Sequence, residues 1–136
     1  MKELMKTNIY DVTDTIIIVG SCLQYVQPEG FEELKKISNN IYEICLEETH
    51  INMAITKIGG MLRTRKVNKI IFASVDKSPH CIQLHYIQDE LRKMMDVDKI
   101  KMENYVVVNN ELKQIEPEIV SLSKNLDKLK DIINNT

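Results

Sequence analysis

The sequence predicts a small three-layer α/β/α domain built on a mainly parallel sheet. Three observations carry that reading. Short β-branched runs alternate with stretches of helical periodicity. The clearest run is apolar throughout, as in strands covered on both faces. No internal repeat, low-complexity tract or linker divides the 136 residues, so residues 1–136 form one domain.

The first strand is "TIIIVGS" (15–21), a β-branched run closed by glycine, followed by the loop "CLQYVQPEG". "FEELKKISNNIYEICLEE" (31–48) sets Phe31, Leu34, Ile37, Ile41, Ile44 and Cys45 at helical spacing and predicts one helix. A second helix is expected across "INMAITKIGGMLRTRK" (51–66), with Gly59–Gly60 marking a bend or a close approach to the sheet. "NKIIFASVD" (68–76) is the next strand. A helix over Pro79–Met95 follows, with Leu84, Ile87, Leu91 and Met94 facing inward.

"NYVVVNNELKQI" (104–115) reads as a third β element folded back at Asn109–Asn110, since asparagine tolerates positive φ. The chain ends in "EPEIVSLSKNLDKLKDIINN" (116–135), with proline near a helix start. Its Ile119, Leu122, Leu126, Leu129 and Ile133 form a heptad-like seam, which docks on the domain itself or makes a homodimer contact.

Composition excludes several function classes. A net charge of −2 argues against a general nucleic-acid binder, and Arg63, Arg65 and Lys66 read as favourable charge at a helix C-terminus. No apolar run approaches the roughly 18 residues needed to span a bilayer, and the N-terminal stretch lacks the apolar core of a signal peptide. Three widely spaced cysteines do not read as a secreted disulfide framework, so a reducing cytoplasm is the expected location.

Chemistry is expected where strands end, because ligands of open α/β sheets collect beyond the carboxyl edge. The first strand runs into Gly20-Ser21-Cys22 and the second into Asp76-Lys77-Ser78-Pro79-His80-Cys81. If these strands are neighbours, Cys22 faces His80 and Cys81. Ser78 suits an N-cap and Pro79 the first helical position, which leaves Cys81 near backbone amides that favour a thiolate. His85, one turn beyond Cys81, shares its helix face.

Three chemistries suit this set. Zinc, iron or an iron–sulfur cluster could be ligated by Cys22, Cys81 and His80 or His85. A cysteine could act as nucleophile or redox group, with a histidine as base and a redox partner protein. Gly20, Ser21, Lys77 and Ser78 could instead bind an anionic small molecule. Cys45 reads as a small buried hydrophobe. The chain has no C-x-x-C, no P-loop and no G-x-G-x-x-G, since "VGSCLQ" supplies a single glycine.

Residues 58–91, "IGGMLRTRKVNKIIFASVDKSPHCIQLHYIQDEL", resemble the α/β segment of small iron–sulfur-associated proteins of anaerobes. In those proteins a helix and a buried strand lead to a Pro-Cys-Cys turn. Pro79-His80-Cys81 occupies that turn here, with His80 in place of the first cysteine, and the ferredoxin module that often precedes it is absent. The resemblance implies metal-associated or electron-transfer chemistry at Cys81.

Overall fold

The computed structural model describes residues 1–135. A six-stranded sheet carries the fold, in the order β1-β3-β2-β4-β5-β6. Its strands are β1 (Lys2–Glu3), β2 (Asp14–Gly20), β3 (Ile41–Ile44), β4 (Val67–Val75), β5 (Lys101–Val108) and β6 (Glu111–Ile115). All neighbours pair in parallel except β5 and β6.

The central strands are apolar throughout because both of their faces are covered. Ile16 and Ile18 of β2, with Ile70 and Phe72 of β4, pack against α3 (Ile51–Arg63) and α4 (Gln83–Met94). Ile17 and Val19, with Ile71 and Ala73, meet Leu23 of α1 (Leu23–Val26) and Phe31 and Leu34 of α2 (Pro28–Ile37). The expected three layers are present.

The chain steps from β2 to β3 through α2 on one face. It returns over β2 to β4 through α3 on the other face, and α4 continues outward to β5. Direction and face reverse together, so the crossovers share one hand. The reversal lies between β2 and β4, and the loops leaving these two strands flank it.

Several expectations need correction. The helix expected over 31–48 ends at Ile37, and Ile41–Ile44 forms β3. Ser38 is extended there: its hydroxyl donates to Thr15 O at 2.7 Å and accepts from Asn40 N at 3.1 Å. Asn40 Nδ2 donates to Thr13 O at 3.2 Å. The bonds to Thr15 O and Thr13 O tie Ser38 and Asn40 to the segment that opens β2 and stop the helix.

The helix expected over 51–66 ends at Arg63, and Arg65 takes a φ of 64°. The Gly59–Gly60 pair approaches Leu91 of α4 and Ile9 rather than the sheet. The helix expected from Pro79 begins at Gln83, behind a lead-in whose amides bond three residues back, such as Leu84 N to Cys81 O at 3.0 Å.

The Asn109–Asn110 turn is as expected, with φ of 52° and 64° joining β5 to β6. The C-terminal segment is divided into α5 (Pro117–Ser123) and α6 (Leu126–Asn134). Asn125 breaks it, its side chain accepting from Lys128 N at 3.1 Å as the cap of α6. The seam from Ile119 to Ile133 is therefore not one continuous stripe, and Leu126 is 78% exposed. Among the described residues no helix is long and apolar enough to cross a membrane.

Candidate thiol site at the strand ends

β3, β2 and β4 lie side by side, and the backbone following each delivers a cysteine to the same edge. Cys45 directly follows β3. Cys22 lies two residues beyond β2, held there by the bond from Ser21 N to Ile44 O at 3.1 Å. Cys81 comes from the turn after β4, where Ser78 Oγ accepts from Cys81 N at 3.3 Å. Ser78 thus performs the capping role its position suggests, ahead of a helix that opens later.

The sulfurs of Cys22 and Cys81 are 3.7 Å apart. Cys81 is 7% exposed, Cys22 is exposed and Cys45 is half-buried. All three line a cavity of about 110 Å³, together with Ser21, Glu47 and His80. Partial burial and the neighbouring Cys81 push the Cys22 thiol up to about 11, with a further contribution from Cys45. Both sulfurs of the close pair are therefore poorly suited to carry negative charge together, and at neutral pH Cys22 is a thiol.

His80 sits at the mouth of the cavity with its Nε2 3.8 Å from Glu47 Oε1. Gly20, Ser21 and Ser78 also line the cavity, whereas Lys77 does not, and its backbone has a φ of 70°. The anion reading needs convergent free amides. Those of Ser21, Ser78 and Cys81 are already bonded, to Ile44 O, Val75 O and Ser78 Oγ.

His85 lies elsewhere. Cys81 precedes the regular helix, so the one-turn spacing does not bring the two residues together. His85 is buried beside the sheet, its Nε2 2.7 Å from Ser74 Oγ and its Nδ1 2.8 Å from Asn104 Oδ1. Asn104 Nδ2 donates in turn to Gln88 Oε1. Burial lowers the His85 pKa, so the ring is neutral. The amide oxygen fixes the proton on Nδ1, and the Ser74 hydroxyl donates to Nε2. Both nitrogens are used, which leaves no ligand position.

Residues 12–135 match a family described as a Rossmann-like domain. The chain belongs to that family. No curated protein and no solved structure matches it. The Rossmann-like fold explains why the cavity lies where it does, at the point where strand order reverses. It does not supply a ligand, since function resides in the site and not in the fold. Where dinucleotide-binding members of the fold place a glycine-rich turn, this Rossmann-like domain has Gly20-Ser21-Cys22.

The sequence reading gives Cys45 a packing role and leaves out Glu47, because the helix expected over 31–48 puts neither at a strand end. The legible signal was the polar "SNN" before "IYEIC", which makes Cys45 another strand-end cysteine. Among the described residues no group of three or more His, Cys, Asp or Glu could hold a metal ion.

Proposed function

We propose that this Rossmann-like domain binds a soft metal ion through the Cys22 and Cys81 thiolates. The reading rests on the 3.7 Å separation of their sulfurs. Zinc–sulfur bonds of 2.3 Å at the tetrahedral angle set two sulfurs about 3.8 Å apart, so the pair matches one edge of such a site. His80 stands at the mouth as a nitrogen donor, and Glu47 beside it can orient the ring.

Each thiol must lose its proton to bind, so a metal compensates for the high cost of ionising Cys22 beside Cys81. Metal content of protein purified without oxygen or an affinity tag tests the reading. Near-stoichiometric zinc or iron that disappears in both Cys22→Ser and Cys81→Ser supports it. Equal metal in all three proteins rejects it.

A second reading is favoured by the absence of a third arranged donor among the described residues. The same two thiols can act as a reversible dithiol. A low-molecular-weight disulfide would accept the two electrons and leave as two thiols, while the sulfur gap closes by roughly 1.7 Å to bonding distance. Its signature is the loss of two titratable thiols on oxidation, restored by reductant and absent from either serine variant.

A further inference from the structure

We infer that Cys22 is the entry thiol of the pair and Cys81 its resolving thiol, and that the pocket takes small disulfides with cationic or uncharged arms in preference to anionic ones. The inference rests on the dithiol reading above and goes beyond it in dividing the roles and naming the charge of the substrate. Three observations carry it.

First, the two sulfurs are 3.7 Å apart but differ in access. Cys22 is exposed, whereas Cys81 is 7% exposed and its sulfur lies against Gly20. An incoming disulfide meets Cys22 first, and Cys81 then meets the sulfur beside it. Second, Ile44, Leu46 and Leu84 line the cavity that the thiols share, giving a short aliphatic arm an apolar wall. Third, the charge there is one-sided. The Glu47 carboxylate lines the cavity, and among the described residues no lysine or arginine does. The Ser21, Ser78 and Cys81 amides are already engaged, and His80 faces Glu47. An ammonium arm meets a carboxylate here, and an anionic arm meets the same sign of charge.

The exchange runs in two displacements. The Cys22 thiol loses its proton and its sulfur attacks one sulfur of R–S–S–R. The S–S bond breaks, and the departing RS⁻ takes up a proton. The Cys81 thiol then loses its proton and attacks the Cys22 sulfur of the mixed disulfide. A Cys22–Cys81 bond forms, and the second RS⁻ leaves and is protonated. The two protein thiols give up two electrons, and one small disulfide becomes two thiols. In reverse, an external thiol attacks the accessible Cys22 sulfur, so the mixed disulfide sits on Cys22 in both directions. Burial and the neighbouring Cys81 raise the Cys22 thiol to about 11, so its attack quickens as pH rises.

The test exposes the full-length reduced protein at pH 8.5 to cystamine, hydroxyethyl disulfide and dithiodipropionate, whose arms are cationic, uncharged and anionic. Acid quenching and peptide mass analysis locate every adduct in wild type, Cys22→Ser, Cys81→Ser and Glu47→Gln. The expected result is a stable mixed disulfide on Cys22 in Cys81→Ser, formed about tenfold faster than an adduct on Cys81 in Cys22→Ser. Early quenching of wild type, which needs no variant, should catch the same Cys22 adduct before the Cys22–Cys81 bond forms. Glu47→Gln should slow cystamine and quicken dithiodipropionate by roughly twofold to fivefold, with hydroxyethyl disulfide unchanged. Comparing each disulfide with itself across the two proteins cancels its intrinsic reactivity. Adducts forming on Cys81 as fast as on Cys22, or rates that Glu47→Gln leaves unchanged for all three disulfides, overturn this inference while the dithiol reading stands. A wild type that forms no Cys22–Cys81 bond with any of the three overturns both.

Discussion

The Cys81 sulfur occupies the space that a Cβ on Gly20 would need. This contact links the last residue of β2 to the turn after β4. It explains why a strand of Ile and Val closes on glycine, and it holds the thiol of Cys81 beside that of Cys22.

Gly20→Ala must push aside the Cys81 side chain, which is 7% exposed. Overpacking of this kind costs about 1–3 kcal/mol, measurable by urea unfolding. Adding Cys81→Ala removes the colliding sulfur, so the double variant should lose clearly less than the sum of the two single changes. Strict additivity would contradict the contact.

The His85 network makes stability depend on pH. Burial holds the folded pKa of His85 below its ordinary 6.5. Above that value neither state is protonated and the full contribution is present. As pH falls below about 6.5 the unfolded chain takes up a proton that the folded protein resists, so stability declines until the lower folded pKa is reached. Unfolding free energy measured from pH 7.5 down to 5.5 should fall in wild type, with this component missing from His85→Leu. That variant should also lose about 2–4 kcal/mol at pH 7.5, because Ser74 and Asn104 lose their buried partner. A pH slope unchanged by the substitution would contradict the assignment.

The two hairpin asparagines should respond differently. Asn109 and Asn110 both have positive φ, which glycine adopts without strain. Only Asn110 does more: its Oδ1 accepts from the amides of Glu29 at 3.1 Å and Gly30 at 3.2 Å, capping α2 from across the fold. Asn109→Gly should leave stability unchanged or slightly raised, whereas Asn110→Gly should cost about 1 kcal/mol despite the same turn geometry. Equal thermal shifts in the two variants would remove the capping role.

The outline of the fold was legible because "TIIIV" and "IIFA" are covered on both faces and therefore read as uninterrupted apolar runs. β3 was hidden. It is four residues long, and the spacing of Ile37, Ile41 and Ile44 satisfies a helix as well as a helix-to-strand transition. Hydrogen bonds from Ser38 and Asn40 to residues more than twenty positions earlier decide between them, and no local pattern carries that information. The start of α4 was placed too early for a related reason. Ser78 caps the amide of Cys81, but the turns that follow are tight, and that shift separates His85 from the thiols. The pairing of Cys22 with Cys81 was legible from the strand-end rule once β2 and β4 were taken as neighbours. The approach of Cys45 depended on the strand that was missed.

The central claim is that Cys22 and Cys81 together hold a soft metal. Its most direct test is a zinc competition titration of the reduced protein against a chromophoric chelator, run beside Cys81→Ser with proton release recorded. The account predicts a single tight site in wild type, at least two protons released per zinc at neutral pH, and affinity at least a hundredfold weaker in the variant. Wild-type affinity no greater than that of Cys81→Ser would contradict it.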